Sequence, residues 1–123
     1  MTSLTEQVEN TDFHDASLER CLHEKNSLQM DFQNILFDIE QEEYYSATVI
    51  LSGVREIRRF DEPVAQLTME GEGEVLQFHK GKGRALLLLE WHTYQPNTTT
   101  FVQYEIDYAT ASVTVEKQDG LSV

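Results

Sequence analysis

Residues 84–108 read RALLLLEWHTYQPNTTTFVQYEIDY, and two stripes of alternating apolar residues run through them. Leu87, Leu89 and Trp91 form the first stripe; Val102, Tyr104, Ile106 and Tyr108 form the second, after the turn-rich Pro96-Asn97-Thr98. A spacing of two is the mark of a strand with one face turned inward. The same parity extends outward to Leu76 and Phe78 before this stretch and to Val113 and Val115 after it. Gly81-Lys82-Gly83 and Ala109-Thr110-Ala111 separate the stripes as short turn segments. The reading is one continuous antiparallel meander of four strands.

Register follows from the turns. A turn at Asn97-Thr98 predicts Trp91 opposite Tyr104 and Leu89 opposite Ile106, while one at Thr110-Ala111 sets Ile106 against Val115 and Tyr108 against Val113. A turn at Lys82-Gly83 sets Phe78 against Leu87, His79 against Leu86 and Leu76 against Leu89. All large apolar groups then share one side, and a one-residue slip would invert a whole strand. Leu86 to Leu89 is apolar on both faces, so that strand is expected to be central.

The first half supplies the cover. Ser17–Glu24 and Leu28–Phe37 read as a hairpin turning at Lys25-Asn26-Ser27, with Cys21 on the inward face of Leu28, Met30 and Phe32. Leu18 breaks the alternation and implies a bulge near Glu19-Arg20. Ile35, Phe37 and Ile39 continue in shifted phase. Tyr44 to Gly53 is a third strand rich in β-formers, and Gly53 marks a further bulge before the apolar Val54, Ile57 and Phe60. Asp61-Glu62-Pro63 has the residues to start one helical turn through Gln66, and Glu70-Gly71-Glu72-Gly73-Glu74 reads as a flexible acidic connection. The expected fold is mainly β: about seven antiparallel strands in a curved sheet, partial barrel or two-layer sandwich, with at most one short helix. Residues 1–12 lack periodicity and are expected to be a mobile tail, leaving 13–123 as a single domain.

The chain carries 22 Asp and Glu against 9 Lys and Arg, a net charge of −13. A field of that sign repels phosphate backbones, and Arg55, Arg58 and Arg59 are too few to override it, so nucleic acid is not an expected partner. It suits a basic protein instead, because complementary fields speed association. Glu40, Glu42 and Glu43 cluster at a turn in the acidic first third and are the expected partner-binding residues. No apolar run approaches the ~20 residues of a membrane helix. The acidic amino terminus lacks the positive start and apolar stretch of a secretory signal, and the single cysteine, Cys21, has no internal disulfide partner. A cytoplasmic location without membrane contact is the expectation.

Chemistry-bearing residues are sparse. His14-Asp15 is the only His-Asp neighbour pair, but adjacent residues of an extended segment point apart, and no Ser or Cys nucleophile is spaced to complete a relay. The simpler reading has Phe13 anchoring the first strand while His14 and Asp15 turn. Metal binding needs ligands converging on one point. His79 and His92 fall several residue pairs apart, and the Glu70, Glu72 and Glu74 ladder lacks the Asp-rich loop of a calcium site. Gly81-Lys82-Gly83 lacks the phosphate-loop pattern. No catalytic, cofactor-binding or metal residue is therefore assigned, and no enzymatic activity or cofactor is expected.

Phe13-His14-Asp15-Ala16-Ser17-Leu18, the Leu28-x-Met30-x-Phe32 strand and the later Trp91-His92 together resemble a group of small bacterial β-rich proteins that open with an FHD-type segment. Some of these resemble immunity proteins of toxin systems. The resemblance implies a compact, cytoplasmic, non-enzymatic β protein and carries over no catalytic residue. The net charge and the lack of a catalytic constellation put first an acidic interaction protein that binds, and on the immunity pattern inhibits, a basic protein. The chief rival is a small-molecule-binding β module holding an apolar ligand near Trp91, Tyr104 and Tyr108, and a third reading is an enzyme using His14, Asp15 and a neighbouring histidine.

Overall fold

The computed structural model describes residues 11, 13–38, 43–69, 72–94 and 97–118. They form nine antiparallel strands: β1 (Ser17–Glu24), β2 (Ser27–Asp38), β3 (Glu43–Ser52), β4 (Glu56–Arg59), β5 (Glu62–Val64), β6 (Glu72–Lys80), β7 (Arg84–Tyr94), β8 (Asn97–Asp107) and β9 (Thr110–Lys117). The sheet order is β5-β4-β8-β7-β6-β1-β2-β3-β9, and no helix occurs among the described residues. The mainly β expectation holds, with a curled sheet.

Alternation builds the core. Leu28, Met30 and Phe32 of β2, Tyr45, Ala47, Val49 and Leu51 of β3, Leu87, Leu89 and Trp91 of β7, and Val102, Tyr104 and Ile106 of β8 all point inward. No charged or polar side chain is buried among the described residues. Phe13 lies beneath the start of β1, its ring 5.0 Å from Phe32 and 5.3 Å from Phe78. Phe32 and Phe78 themselves stand 5.4 Å apart, although β1 separates their strands in the sheet order. The curl of the sheet helps bring them together.

The curl is set at a corner. Ser52 pairs with Thr110 and, past the break in both strands, Glu56 pairs with Asp107, so the pairing continues almost in register. Thus β3 with β4, and β8 with β9, are two long bent strands that pass side by side from one half of the sheet to the other, as strands do at the corners of packed sheets. This corrects the meander: Thr110-Ala111 is no hairpin turn, and Val113 and Val115 face Val49 and Ala47 of β3 rather than Tyr108 and Ile106. Gly53 sits at the corner with φ +66°, and a Cβ there would lie 2.7 Å from that of Ala109, so both conformation and space require glycine.

Other departures have local causes. β7 and β8 pair with Leu87 opposite Tyr104 and Trp91 opposite Thr100, four residues from the expected register. The Phe78–Leu87 and His79–Leu86 pairs stand as expected, but a bulge at Leu76 puts Val75 against Leu89 and into the core. Gly73 and Glu74 consequently belong to β6 rather than to a loop. Residues 61–66 form no helical turn: Phe60 and Asp61 adopt φ 50° and 69° in a tight hairpin that returns as β5. Phe60 lies outside the core, 55% exposed. The bulge between Leu18 and Arg20 and the pairing of Cys21 with Met30 agree with the sequence reading. A second bulge at Gln33-Asn34, with Asn34 at φ 60°, produces the shifted phase that buries Ile35.

Trp91 is 1% exposed and its ring lies over Gly73 on the neighbouring strand, at the centre of this packing. Trp91→Ala should lower the unfolding free energy by ~3–5 kcal/mol in denaturant titration. A loss below about 1 kcal/mol would place the indole outside the core.

Candidate functional site

With the interior apolar, the chemistry lies on the outer face. Outward positions of β4, β8 and β7 hold Glu56, Glu105 and Asp107 against the guanidiniums of Arg58 and Arg84, and the same face carries Glu90 of β7 and Glu74 of β6 farther along. Arg58 is the hub. Its Nη1 donates to Glu56 Oε2 at 2.6 Å and to Asp107 Oδ2 at 2.9 Å, and its Nη2 donates to Glu105 Oε2 at 3.1 Å and Asp107 Oδ1 at 3.2 Å. Arg84 Nε adds a bond to Asp107 Oδ1 at 3.0 Å. The register makes this possible, since Arg58 faces Glu105, and Glu56 and Arg84 both flank Asp107. Hydrogen bonding from Arg58, helped by Arg84, holds the Asp107 carboxyl down at about 2, and the three carboxylates push Arg58 further above its already high range. An open cleft at the end of the network is lined by Arg55, Glu56, Lys82, Gly83, Arg84 and Asp107.

A second cluster lies on β6 and β7. Glu74 and Glu90 face each other directly across the two strands, and His92 is two residues beyond Glu90 on the same face. One donor atom from each of the three lies within 4.8 Å of the others. His92 Nε2 stands 2.9 Å from Glu90 Oε1, and its Nδ1 is 3.2 Å from the Thr99 hydroxyl on β8. Sequence reasoning missed this group because it treated Glu74 as loop. The signal was there in Gly73 and Val75, small and apolar residues alternating with Glu72 and Glu74 as a strand requires.

The residues singled out from sequence fare differently. Glu43 opens β3, where Lys117 Nζ lies 3.5 Å from its Oε1; Glu40 and Glu42 lie outside the described residues, as does Glu70. His14 and Asp15 do form a turn, as the simpler reading has it. Asp15, at φ 66°, nevertheless brings its carboxylate to 3.5 Å from His14 Nε2, closer than an extended segment allows. His14 Nδ1 meets the Leu76 carbonyl at 3.0 Å, so the ring buttresses the β6 bulge. His79 is exposed on β6 opposite Leu86, and His92 is far along β7. No family model matches this chain, and neither a curated protein nor a solved structure matches it.

Cys21 packs against the core, and burial, reinforced by the nearby Asp31 carboxylate, pushes its thiol up to about 12. Since the thiolate is the reactive form, the folded chain should label slowly with a thiol reagent at pH 8 and the denatured chain at the rate of a free thiol. Equal rates would mean that the first hairpin opens readily.

Asp107 sets an acid dependence. Its folded value of about 2 lies below the ordinary 3.8, so its contribution to stability is complete above about pH 4 and is lost as pH falls toward 2. The stability gap between the wild type and Asp107→Asn should therefore be open at pH 6 and close between pH 4 and 2. A gap constant across that range would assign Asp107 a packing role only.

Proposed function

We propose that this chain is a non-catalytic interaction protein that holds a cationic protein partner on its acidic outer surface. The observation that carries this reading is the outward row of five carboxylates on four neighbouring strands, three of them around two guanidiniums, within a chain of net charge −13. Arg58 and Arg84 neutralise only part of that row and fix the positions of Glu56, Glu105 and Asp107. A pre-positioned carboxylate array needs little reordering to receive lysines or arginines, and its field favours fast encounter. An inhibitor that occludes the binding surface of a basic protein is the form implied by the resemblance to immunity proteins. The ligand-binding alternative needs open space beside Trp91, Tyr104 and Tyr108, and all three side chains are packed into the core.

The test is capture from native lysate at low and high salt, with wild type and with Glu40→Lys, Glu42→Lys and Glu43→Lys combined. The captured partner should be basic and should dissociate as the Debye length shrinks from ~10 Å at 0.1 M to ~3 Å at 1 M salt. The reversed chain should associate more slowly, with release changed less. A partner whose binding ignores both salt and charge reversal would overturn the electrostatic reading.

A further inference from the structure

We propose that Glu74, Glu90 and His92 form a binding site for a divalent transition-metal ion, Zn²⁺ foremost, on the outer face of β6 and β7. Three independent features of the chain lead there. The first is convergence: two carboxylates and an imidazole from adjacent strands bring one donor atom each within 4.8 Å of one another. Donors about 2.0–2.2 Å from a tetrahedral Zn²⁺ stand about 3.4 Å apart, a spacing that small carboxylate rotations reach from this arrangement.

The second is an unbalanced charge. Glu74 and Glu90 are directly opposed across an antiparallel pair, where like charges destabilise the sheet. Glu90 has His92 beside it at 2.9 Å, whereas Glu74 has no ion-pair or hydrogen-bond partner among the described residues. This contrasts with the neighbouring network, where every carboxylate meets Arg58. A dication among the three donors would offset the repulsion in place of the missing basic side chain.

The third is the orientation of His92. Its Nδ1 is engaged by the Thr99 hydroxyl at 3.2 Å, which fixes the ring with Nε2 toward Glu90. Metal-bound histidines commonly have their second nitrogen held in this way by an outer partner. A metal on Nε2 requires the ring proton on Nδ1, where the Thr99 hydroxyl oxygen can accept it. The imidazole selects a transition metal over Mg²⁺ or Ca²⁺, which prefer all-oxygen sets. Three protein ligands at a half-buried surface leave the fourth position open to water or to a donor from a partner.

The site stands apart from the proposed partner function, and its test uses the ion alone. ZnCl₂ titrated into the untagged chain, followed by calorimetry and by the ring nitrogen resonances of the histidines, should give one saturable site. Only His92 Nε2 should shift markedly, and the melting temperature should rise with zinc concentration. Glu74→Gln, Glu90→Gln and His92→Gln should each weaken binding at least about tenfold, and Thr99→Ala should weaken it less, while His14→Gln should leave it unchanged. Glu74→Gln should also melt no lower than wild type without metal, since it removes a like-charge pair, which separates lost binding from lost folding. MgCl₂ at the same concentration should leave the His92 resonance in place. No saturable heat and no His92 shift up to millimolar zinc would overturn the proposal, as would undiminished binding by His92→Gln.

Discussion

Where β3 becomes β4 and β8 becomes β9, the Ala109 amide donates to the Ser52 carbonyl at 2.9 Å and the Arg55 amide to the Asp107 carbonyl at 2.8 Å. These bonds carry the pairing across the corner, so both strands bend together and neither loses its partner. Gly53 supplies the backbone conformation and the clearance. From this shared bend follow the curl of the sheet, the meeting of Phe32 with Phe78, and an interior with room only for apolar side chains. Tyr108 closes the same region by donating its hydroxyl to the Gly81 carbonyl, which ties the corner to the β6–β7 turn.

No charged side chain is buried among the described residues, so the acidic ones there fall to the outer face. That face manages them unevenly. Around Arg58 the strand register interleaves carboxylates with guanidiniums, and the ionised forms support one another. At Glu74 and Glu90 the same register sets two carboxylates face to face. One sheet surface thus holds a partly neutralised patch beside an unneutralised one, and the surplus of the two together is what a cation meets.

Strand identity and inward parity were legible in the sequence because alternation is a direct record of which face is buried. Register was less so. A four-residue slip between β7 and β8 leaves every parity intact, so the pattern of Leu87, Leu89, Trp91, Val102, Tyr104 and Ile106 cannot distinguish Tyr104 from Thr100 as the partner of Trp91. The corner was illegible for another reason: small residues such as Ala109 and Thr110 serve a tight turn and a strand crossing equally well. The candidate metal group depended on the Leu76 bulge, which shifts Glu74 by one place to meet Glu90. The Arg58 hub needed the pairing of β4 with β8, two segments about fifty residues apart that only the corner brings together.

The layout of the ladders also bears on synthesis. As the chain leaves the ribosome, the first three strands form a local meander whose inward face, with Leu28, Met30, Phe32, Val49 and Leu51, has nothing to cover it. Its cover comes from residues 73 to 108, and the free side of β3 is closed only by β9, which ends at Lys117. Folding therefore cannot finish before β9 has emerged. Until then the nascent protein presents an apolar, open-edged sheet, the kind of surface that chaperones bind.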